Sequence, residues 1–381
     1  MTLFFFSDIS WEGLHQRPQH LARRMAKDYR VIWIEPIVLS KKPSFELKEV
    51  SANLFTLSLP ALPYNARQKW IKLLTYPLSN LAFIRWLLLK LQVLILRKVM
   101  SKLLISDEQY IFFYQNFHYI NLVKSFKPKS VAFDYIDNAF GFIKLPKHIT
   151  EDWKHTIKTA DIITVTSSTL KKQIEGIRKD NVHLVSNGVE YNFFSVESPQ
   201  ATPQDLPKNK PIVGYVGAVY AWFDFEILNY LCQELPKYNF IIIGKEHPEI
   251  ENEITRLKKY SNFFFLGFRN YQTIPQYLHG FSVAIIPFKR NILTEAVNPV
   301  KLYEYSAAGI PTVTTNFSND LNEFKDLIFI AETKEKFKIS LETAISKAGD
   351  TIFRHKLNEF AEQHDWDNKY RKIHNLLSTI D

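Results

Sequence analysis

The segment Asn298-Pro-Val-Lys301-Leu-Tyr-Glu304-Tyr-Ser-Ala-Ala-Gly309-Ile-Pro311-Thr-Val-Thr-Thr315 carries the most chemistry in this chain. A helix that breaks at Gly309 places Lys301 in its first turn and Glu304 one turn further on. Ile310–Thr315 then reads as a β-branched strand. In open α/β sheets, ligands collect where helix N-termini and loops meet the carboxyl ends of strands. Lys301, beside free backbone N–H groups, suits a phosphate. Glu304 can accept hydrogen bonds from a pair of vicinal hydroxyls, such as those of a ribose. An ordinary αβ unit with a solvated lysine and glutamate has the same local pattern, so context must decide.

Other strand ends supply that context. Gly214-Tyr-Val-Gly217-Ala closes a strand and leads to a helix near Asp224, a place where a phosphate can approach backbone. Phe265-Leu-Gly267-Phe268-Arg269 follows a strand in the same way, and Phe268 can either stack on a flat base or simply pack. Pro287-Phe-Lys289-Arg290-Asn291-Ile-Leu-Thr294-Glu295 ends another strand and runs directly into Asn298 and Pro299. These features together suit an anionic, planar, hydroxylated ligand, and a nucleotide fits. Earlier in the chain, Asp134 and Asp137 end a strand, where a carboxylate can act as a base, bind sugar hydroxyls, or cap a turn. The loop holding Trp11, Arg17, Gln19 and His20 enters a helix at Pro18 and is rich in donors. No HExxH, CxxC or clustered His/Cys spacing is present, so no protein-bound catalytic zinc is expected.

The elements that must position these residues alternate. Strands are expected at Leu3–Phe6, Arg30–Ile34, Leu54–Leu57, Tyr110–Tyr114, Ser130–Asp134, Ile162–Thr166 and Val182–Val185. Helices are expected between them, including a long one over 66–102 broken near Pro77. The stretch from Ser198 to Pro211 holds four prolines among polar residues and reads as a linker. The alternation then restarts at Ile212. Two doubly wound domains in tandem, facing across a cleft, is the economical α/β architecture.

Composition agrees with a globular protein. The 381 residues are 46% hydrophobic and 23% charged, enough for two domains. The single cysteine, Cys232, lies in an apolar stretch and reads as a small buried hydrophobe, so a reducing, cytoplasmic setting is expected. The net charge is +9, and between Arg67 and Ser106 there are eight basic residues and no acid. Lys90, Arg97 and Ser101 share one helical face; Leu89, Val93, Leu96 and Met100 share another. Two readings stay open for this segment: a basic amphipathic helix on an anionic membrane surface, or a core helix with a solvated basic rim. No nucleic-acid motif accompanies the charge.

Together these motifs resemble GT-B glycosyltransferases, specifically the family 4-like bacterial group that uses nucleotide sugars. The resemblance rests on Trp11…Arg17-Pro-Gln-His20-Leu-Ala, Ala160-Asp161-Ile-Ile-Thr-Val-Thr-Ser, Val185-Ser-Asn187-Gly188-Val-Glu190, Asn298-Pro-Val-Lys301-Leu-Tyr-Glu304-Tyr and His364-Asp-Trp366. It implies two Rossmann-like domains: an acceptor domain over 1–197, a linker over 198–211 and a nucleotide-sugar domain over 212–362. A C-terminal helix, 363–381, crosses back to the first. It also implies transfer of a sugar from a UDP-sugar to a glycan or lipid-linked glycan, with no metal or other cofactor and with retention more in keeping than inversion. Lys301 would face the diphosphate, Glu304 the ribose, and Gly217 would let the diphosphate approach. Phe268, Arg269, Thr294, Asn298 and Pro299 would complete the donor site. Trp11, Arg17 and His20 would meet the acceptor or a phosphate, and Asp137 or Asp134 would serve as base if inversion applied.

The chain departs from that pattern twice. Ala296 stands where an acid is usual, with Glu295 adjacent, and Ala221-Trp-Phe-Asp224 stands where a basic pair is usual. A sugar-nucleotide epimerase, or a non-catalytic glycan-binding protein of the same architecture, are the alternatives. The expected setting is cytoplasmic and, if the basic segment meets lipid, peripheral on the inner face of the plasma membrane.

Overall fold

A computed structural model describes residues 1–13, 15–36, 45–62, 69–116, 119–138, 140, 147–195 and 201–380. Arg67, within the basic segment, and 198–200, within the proline-rich stretch, lie outside the described residues. The chain divides into two compact units, Met1–Ser186 with the segment from Tyr370 onward, and Asn187–Lys369.

The first unit is built on an eight-stranded sheet in the order β3-β4-β2-β1-β5-β6-β7-β8. Its strands are β1 (Thr2–Phe6), β2 (Arg30–Pro36), β3 (Lys48–Ser51), β4 (Leu54–Leu59), β5 (Tyr110–Tyr114), β6 (Ser130–Tyr135), β7 (Ile162–Val165) and β8 (Val182–Leu184). All pairings are parallel except β3 with β4. Every residue of β1 and β5 is buried, as expected of strands covered on both faces. Much of the aromatic content forms a ladder there. Phe5 pairs in register with Trp33 and Phe113, each ring 4.9 Å away, across three adjacent strands. The chain reverses direction of assembly between β1 and β5, which makes their carboxyl ends the crevice of this sheet.

Two local features differ from the sequence reading. Strand β3 was not expected, because all four of its residues are exposed and leave no alternation to read. The long helical stretch breaks at Leu81 rather than near Pro77, giving helices Lys69–Asn80 and Ala82–Lys102 with Pro77 inside the former. Ser79 Oγ and Asn80 Nδ2 both donate to the Tyr76 carbonyl (2.7 and 2.9 Å), closing the first helix past the proline.

The second unit is a six-stranded, wholly parallel sheet in the order β11-β10-β9-β12-β13-β14. Its strands are β9 (Ile212–Val216), β10 (Asn239–Ile243), β11 (Phe263–Gly267), β12 (Val283–Ile286), β13 (Thr312–Thr315) and β14 (Ile328–Ala331). Here the topological switch lies between β9 and β12. Cys232 is 2% exposed in the core, and burial pushes its thiol up to about 12.

The boundaries fall at Ser186/Asn187 and Lys369/Tyr370, not at 197 and 363. Asn187 already belongs to the second unit because its backbone N–H donates to Asn298 Oδ1 (2.9 Å) and its Nδ2 to the Asn298 carbonyl (2.7 Å). The last helix, Trp366–Ser378, starts in the second unit, where Trp366 N–H donates to Val189 O (3.0 Å). Its remainder lies in the first unit, where Lys372 Nζ donates to Leu184 O (2.8 Å) and Tyr370 hydroxyl to Asp28.

Candidate functional site

The second unit's switch point gathers a small set of polar groups. Strand β9 is followed directly by Gly217, whose φ of +144° is a conformation side chains disfavour. Its N–H donates to Ile243 O (2.8 Å), and the preceding Val216 N–H donates to the Tyr305 hydroxyl (2.9 Å). The loop is therefore pinned both to β10 and to helix Val300–Ala307. A side chain here would also displace the tip of Lys301. A Cβ on Gly217 would lie 2.2 Å from Lys301 Cε and 2.7 Å from its Nζ. Next door, a Cβ on Gly244 would lie 1.9 Å from the Gly217 carbonyl oxygen.

Lys301 reaches this point from the first turn of its helix. Pro299 occupies the N-cap, no side chain caps the turn, and no acid lies in it. The ammonium sits 5.4 Å from the Tyr215 ring centroid and 5.8 Å from that of Phe288, between residues of β9 and the loop after β12. Burial pushes the Lys301 pKa down, and Glu304, one turn on, opposes that shift. Burial likewise pushes the Glu304 carboxyl up to about 7, against the pull of Lys301. Both residues are half-buried. Among the described residues, no hydrogen bond or ion pair within 4.0 Å engages either charged group. Two half-buried charges with no hydrogen-bond or ion-pair partner among the described residues, at a switch point, are what an anionic hydroxylated ligand would complete.

The other expected donor-site residues behave differently. Thr294 is 2% exposed; its hydroxyl donates to Lys289 O (2.6 Å) and accepts from Asn291 N–H (2.9 Å), so it shapes the loop after β12. The Asn298 side-chain oxygen accepts from Asn187 N–H (2.9 Å) and from the Tyr303 hydroxyl (3.1 Å). Arg269 donates to Asp205 (2.7 Å), to the Tyr277 hydroxyl (2.7 Å) and to two carbonyls, of Leu266 and Phe268. The Thr294 hydroxyl and the Arg269 guanidinium are thus engaged within the protein, as is the side-chain oxygen of Asn298. Phe268, by contrast, is 59% exposed just past Gly267 at the end of β11. It lies two strand spacings, about 10 Å, from the end of β9. Glu295 pairs with Arg290 (2.9 Å), and Ala296 is buried.

In the first unit, Arg17 and Asp134 are brought together, and neither serves as expected. Asp134 is 0% exposed and accepts from Arg17 Nε and Nη2, Gln115 Nε2 and Thr164 Oγ1. Arg17 Nη1 donates to the carbonyls of Val185 and Ser186 (2.9 and 3.1 Å). A carboxylate held by four donors is poorly placed to collect a substrate proton, and four of the five Arg17 N–H donors are already committed within the protein. His20 is buried beside His15. Trp11 stays partly exposed, its ring edge-on to Trp33 (5.2 Å) and beneath the Arg23 guanidinium (5.4 Å). Asp137 is exposed past the end of β6, and the protein crowded around it pushes its carboxyl up to about 7, against the pull of Arg17.

Sequence reasoning missed the Tyr215 and Phe288 rings about the Lys301 ammonium, the Asn187–Asn298 clasp, and Gly244. Only the last left a signal: like Gly217 and Gly267, Gly244 directly follows, or ends, an apolar strand.

Comparison with known proteins follows the same lines. The family of glycosyl transferases group 1 matches residues 199–364, which include Gly217, Lys301 and Glu304. A Bacillus subtilis (strain 168) protein named for teichuronic acid biosynthesis, glycosyltransferase TuaH, is 26% identical over 225 residues, 57% of this chain and 56% of that protein. The chain thus spans just over half the length of that relative. Among solved structures, sucrose-phosphate synthase from Thermosynechococcus elongatus superposes with a TM-score of 0.74 at 14% identity, over 100% of this chain and 99% of that one. Anabaena HepE in complex with UDP and glucose gives 0.65 at 15% identity over 100% of both chains. The chain therefore has the GT-B fold of these solved structures, and its residues 199–364 are similar to the glycosyl transferases group 1 family.

Proposed function

We propose that this protein is a glycosyltransferase that moves a sugar from a UDP-sugar to a glycan or lipid-linked glycan, without a metal and with retention of configuration. The observation that carries the reading is the Lys301–Glu304 pair: two half-buried charges without a hydrogen-bond or ion-pair partner among the described residues, set against the side-chain-free backbone of Gly217. The group 1 match over this region and the binding of UDP and glucose by HepE support the choice of donor.

In this reading the diphosphate lies along the Gly217 turn and the first turn of helix Val300–Ala307, with Lys301 Nζ as its cation. As the sugar departs, negative charge builds on the diphosphate, and a fixed ammonium there stabilises it more in the transition state than in the ground state. Glu304 accepts the two ribose hydroxyls, and Phe268 offers a face for the base. The single buried cysteine fits a reducing, cytoplasmic setting.

Calorimetric titration with UDP tests the donor site. Saturable binding that weakens in both Glu304→Ala and Lys301→Ala is expected; no heat with UDP in the folded wild-type protein would remove the proposal. Product analysis by NMR tests retention. A product whose new linkage has the opposite anomeric configuration to the donor would overturn that clause alone.

A further inference from the structure

We propose that helix Ala82–Lys102 and the turn before it dock on the surface of an anionic lipid bilayer. The inference is independent of the sugar-transfer reading and starts from a face of the first unit that is exposed among the described residues. Phe83, Trp86, Leu87, Leu91 and Leu94 are each between 40% and 67% exposed, at helical spacings that put them on one side, and Leu81 is exposed in the turn before them. The opposite side, Gln92, Ile95, Leu96, Val99 and Met100, is buried. Sequence periodicity places Lys90, Arg97 and Ser101 on one helical face; the structure shows that face exposed and adds this apolar stripe to it. Contiguous exposed apolar area of this kind marks an interaction surface rather than ordinary scatter.

Charge identifies the occupant. Lys90, Arg97 and Lys98 are exposed on the same side, and no acid occurs among the described residues from Lys69 to Ser106. The Lys90 ammonium sits 5.7 Å from the Trp86 ring centroid, and Phe83 stacks on Trp86 at 6.0 Å. A second copy of this chain is disfavoured as the occupant. A two-fold contact would set Lys90, Arg97 and Lys98 against the same residues of the partner with no carboxylate to offset them. A bilayer surface satisfies both features at once. The aromatic and leucine side chains enter the headgroup–acyl boundary while lysine and arginine stems extend to the phosphates. No helix among the described residues is long and apolar enough to cross a membrane, so the contact is lateral.

Flotation of the full chain tests this, using vesicles of phosphatidylcholine alone and of phosphatidylcholine mixed with phosphatidylglycerol. The wild-type protein is expected to float with the mixed vesicles and stay at the bottom with the neutral ones. Two variants at exposed positions, Phe83→Ser with Trp86→Ser and Lys90→Glu with Lys98→Glu, are each expected to partition at least about tenfold more weakly. Far-ultraviolet circular dichroism and thermal melting of both serve as the check that they remain folded. The proposal is overturned if the wild type stays at the bottom with mixed vesicles or floats equally on neutral ones. It is also overturned if the apolar variant floats as well as the wild type. A wild-type dimer in light scattering, dissociated by Phe83→Ser with Trp86→Ser and indifferent to vesicles, would assign the face to self-association instead.

Discussion

Arg17 and Asp134 hold each other through two hydrogen bonds, Nε to Oδ2 at 2.9 Å and Nη2 to Oδ1 at 2.8 Å, with both side chains buried. The pair joins the first turn of helix Arg17–Met25 to β6, and Gln115 and Thr164 add the ends of β5 and β7. Removing one member leaves the other charged and dry. Arg17→Ala or Asp134→Ala is therefore expected to cost about 3–5 kcal/mol of stability, well above a surface pair. Urea unfolding followed by tryptophan fluorescence reads this, and a midpoint within error of wild type would contradict it. UDP affinity of the folded variants is expected to stay unchanged, because the proposed nucleotide site belongs entirely to the second unit.

Glu304 is expected to recognise ribose hydroxyls, and a paired substitution isolates that contact. A hydrogen bond to a charged group contributes about 1.5–3 kcal/mol, so Glu304→Ala should weaken UDP binding by roughly 10- to 100-fold. Wild-type protein should likewise bind 2′-deoxy-UDP more weakly than UDP. Glu304→Ala should discriminate between the two far less. Equal discrimination by wild type and variant in calorimetry would place the ribose elsewhere.

The sequence shows a donor or acceptor far more readily than the partner that consumes it. Lys301 and Glu304 were legible because helical spacing places them a turn apart after a proline N-cap, and both the helix and the strand after it stand where the periodicity puts them. Most strands were legible for a similar reason: short apolar runs such as Thr2–Phe6 and Asn239–Ile243 leave little choice. Arg17, Asp134 and Arg269 looked equally chemical in the sequence. Their partners lie 117 and 64 residues away, and only the folded chain shows those groups engaged. Strand β3 escaped notice because an exposed edge strand carries no burial pattern.

The raised pKa of Glu304 gives a pH signature with a definite sign. Folded, this carboxyl holds its proton up to about 7, against an ordinary value of 4.5. The folded state is thus favoured below about 4.5, and that contribution is lost as pH rises through about 7. Glu304→Gln should raise the melting temperature at pH 8, with the gain shrinking as pH falls toward 5. Nucleotide binding should run the other way: ribose hydroxyls donate to the ionised carboxylate, so wild-type UDP affinity should fall below about pH 7. Glu304→Gln should flatten that part of the profile. A variant that melts below wild type at pH 8, or keeps the full pH dependence of binding, would refute the assignment.

Asp137 separates the two stereochemical routes by rate rather than by product. If transfer inverts configuration, an exposed carboxylate past the end of β6 is well placed to act as base. Asp137→Asn would then lower kcat by roughly 100-fold or more. Under the retaining route proposed here no such base is needed, and the same variant should keep kcat within about tenfold of wild type. Steady-state turnover with a UDP-sugar and acceptor decides between these outcomes.

The contact between Gly217 and Lys301 makes the most local claim. Gly217→Ala forces a side chain into a φ of +144° and sets its Cβ 2.2 Å from Lys301 Cε. The backbone conformation alone should cost about 1–3 kcal/mol of stability. The larger consequence is for the ammonium, which must leave the rings of Tyr215 and Phe288 to relieve the clash. UDP affinity should therefore drop in Gly217→Ala about as far as in Lys301→Ala, and the double variant should lose little more, since both act on one contact. Binding of uridine, which lacks the diphosphate, should change little in any of the three. If Gly217→Ala retains wild-type UDP affinity, or if uridine binding falls with that of UDP, then the lysine does not face the diphosphate.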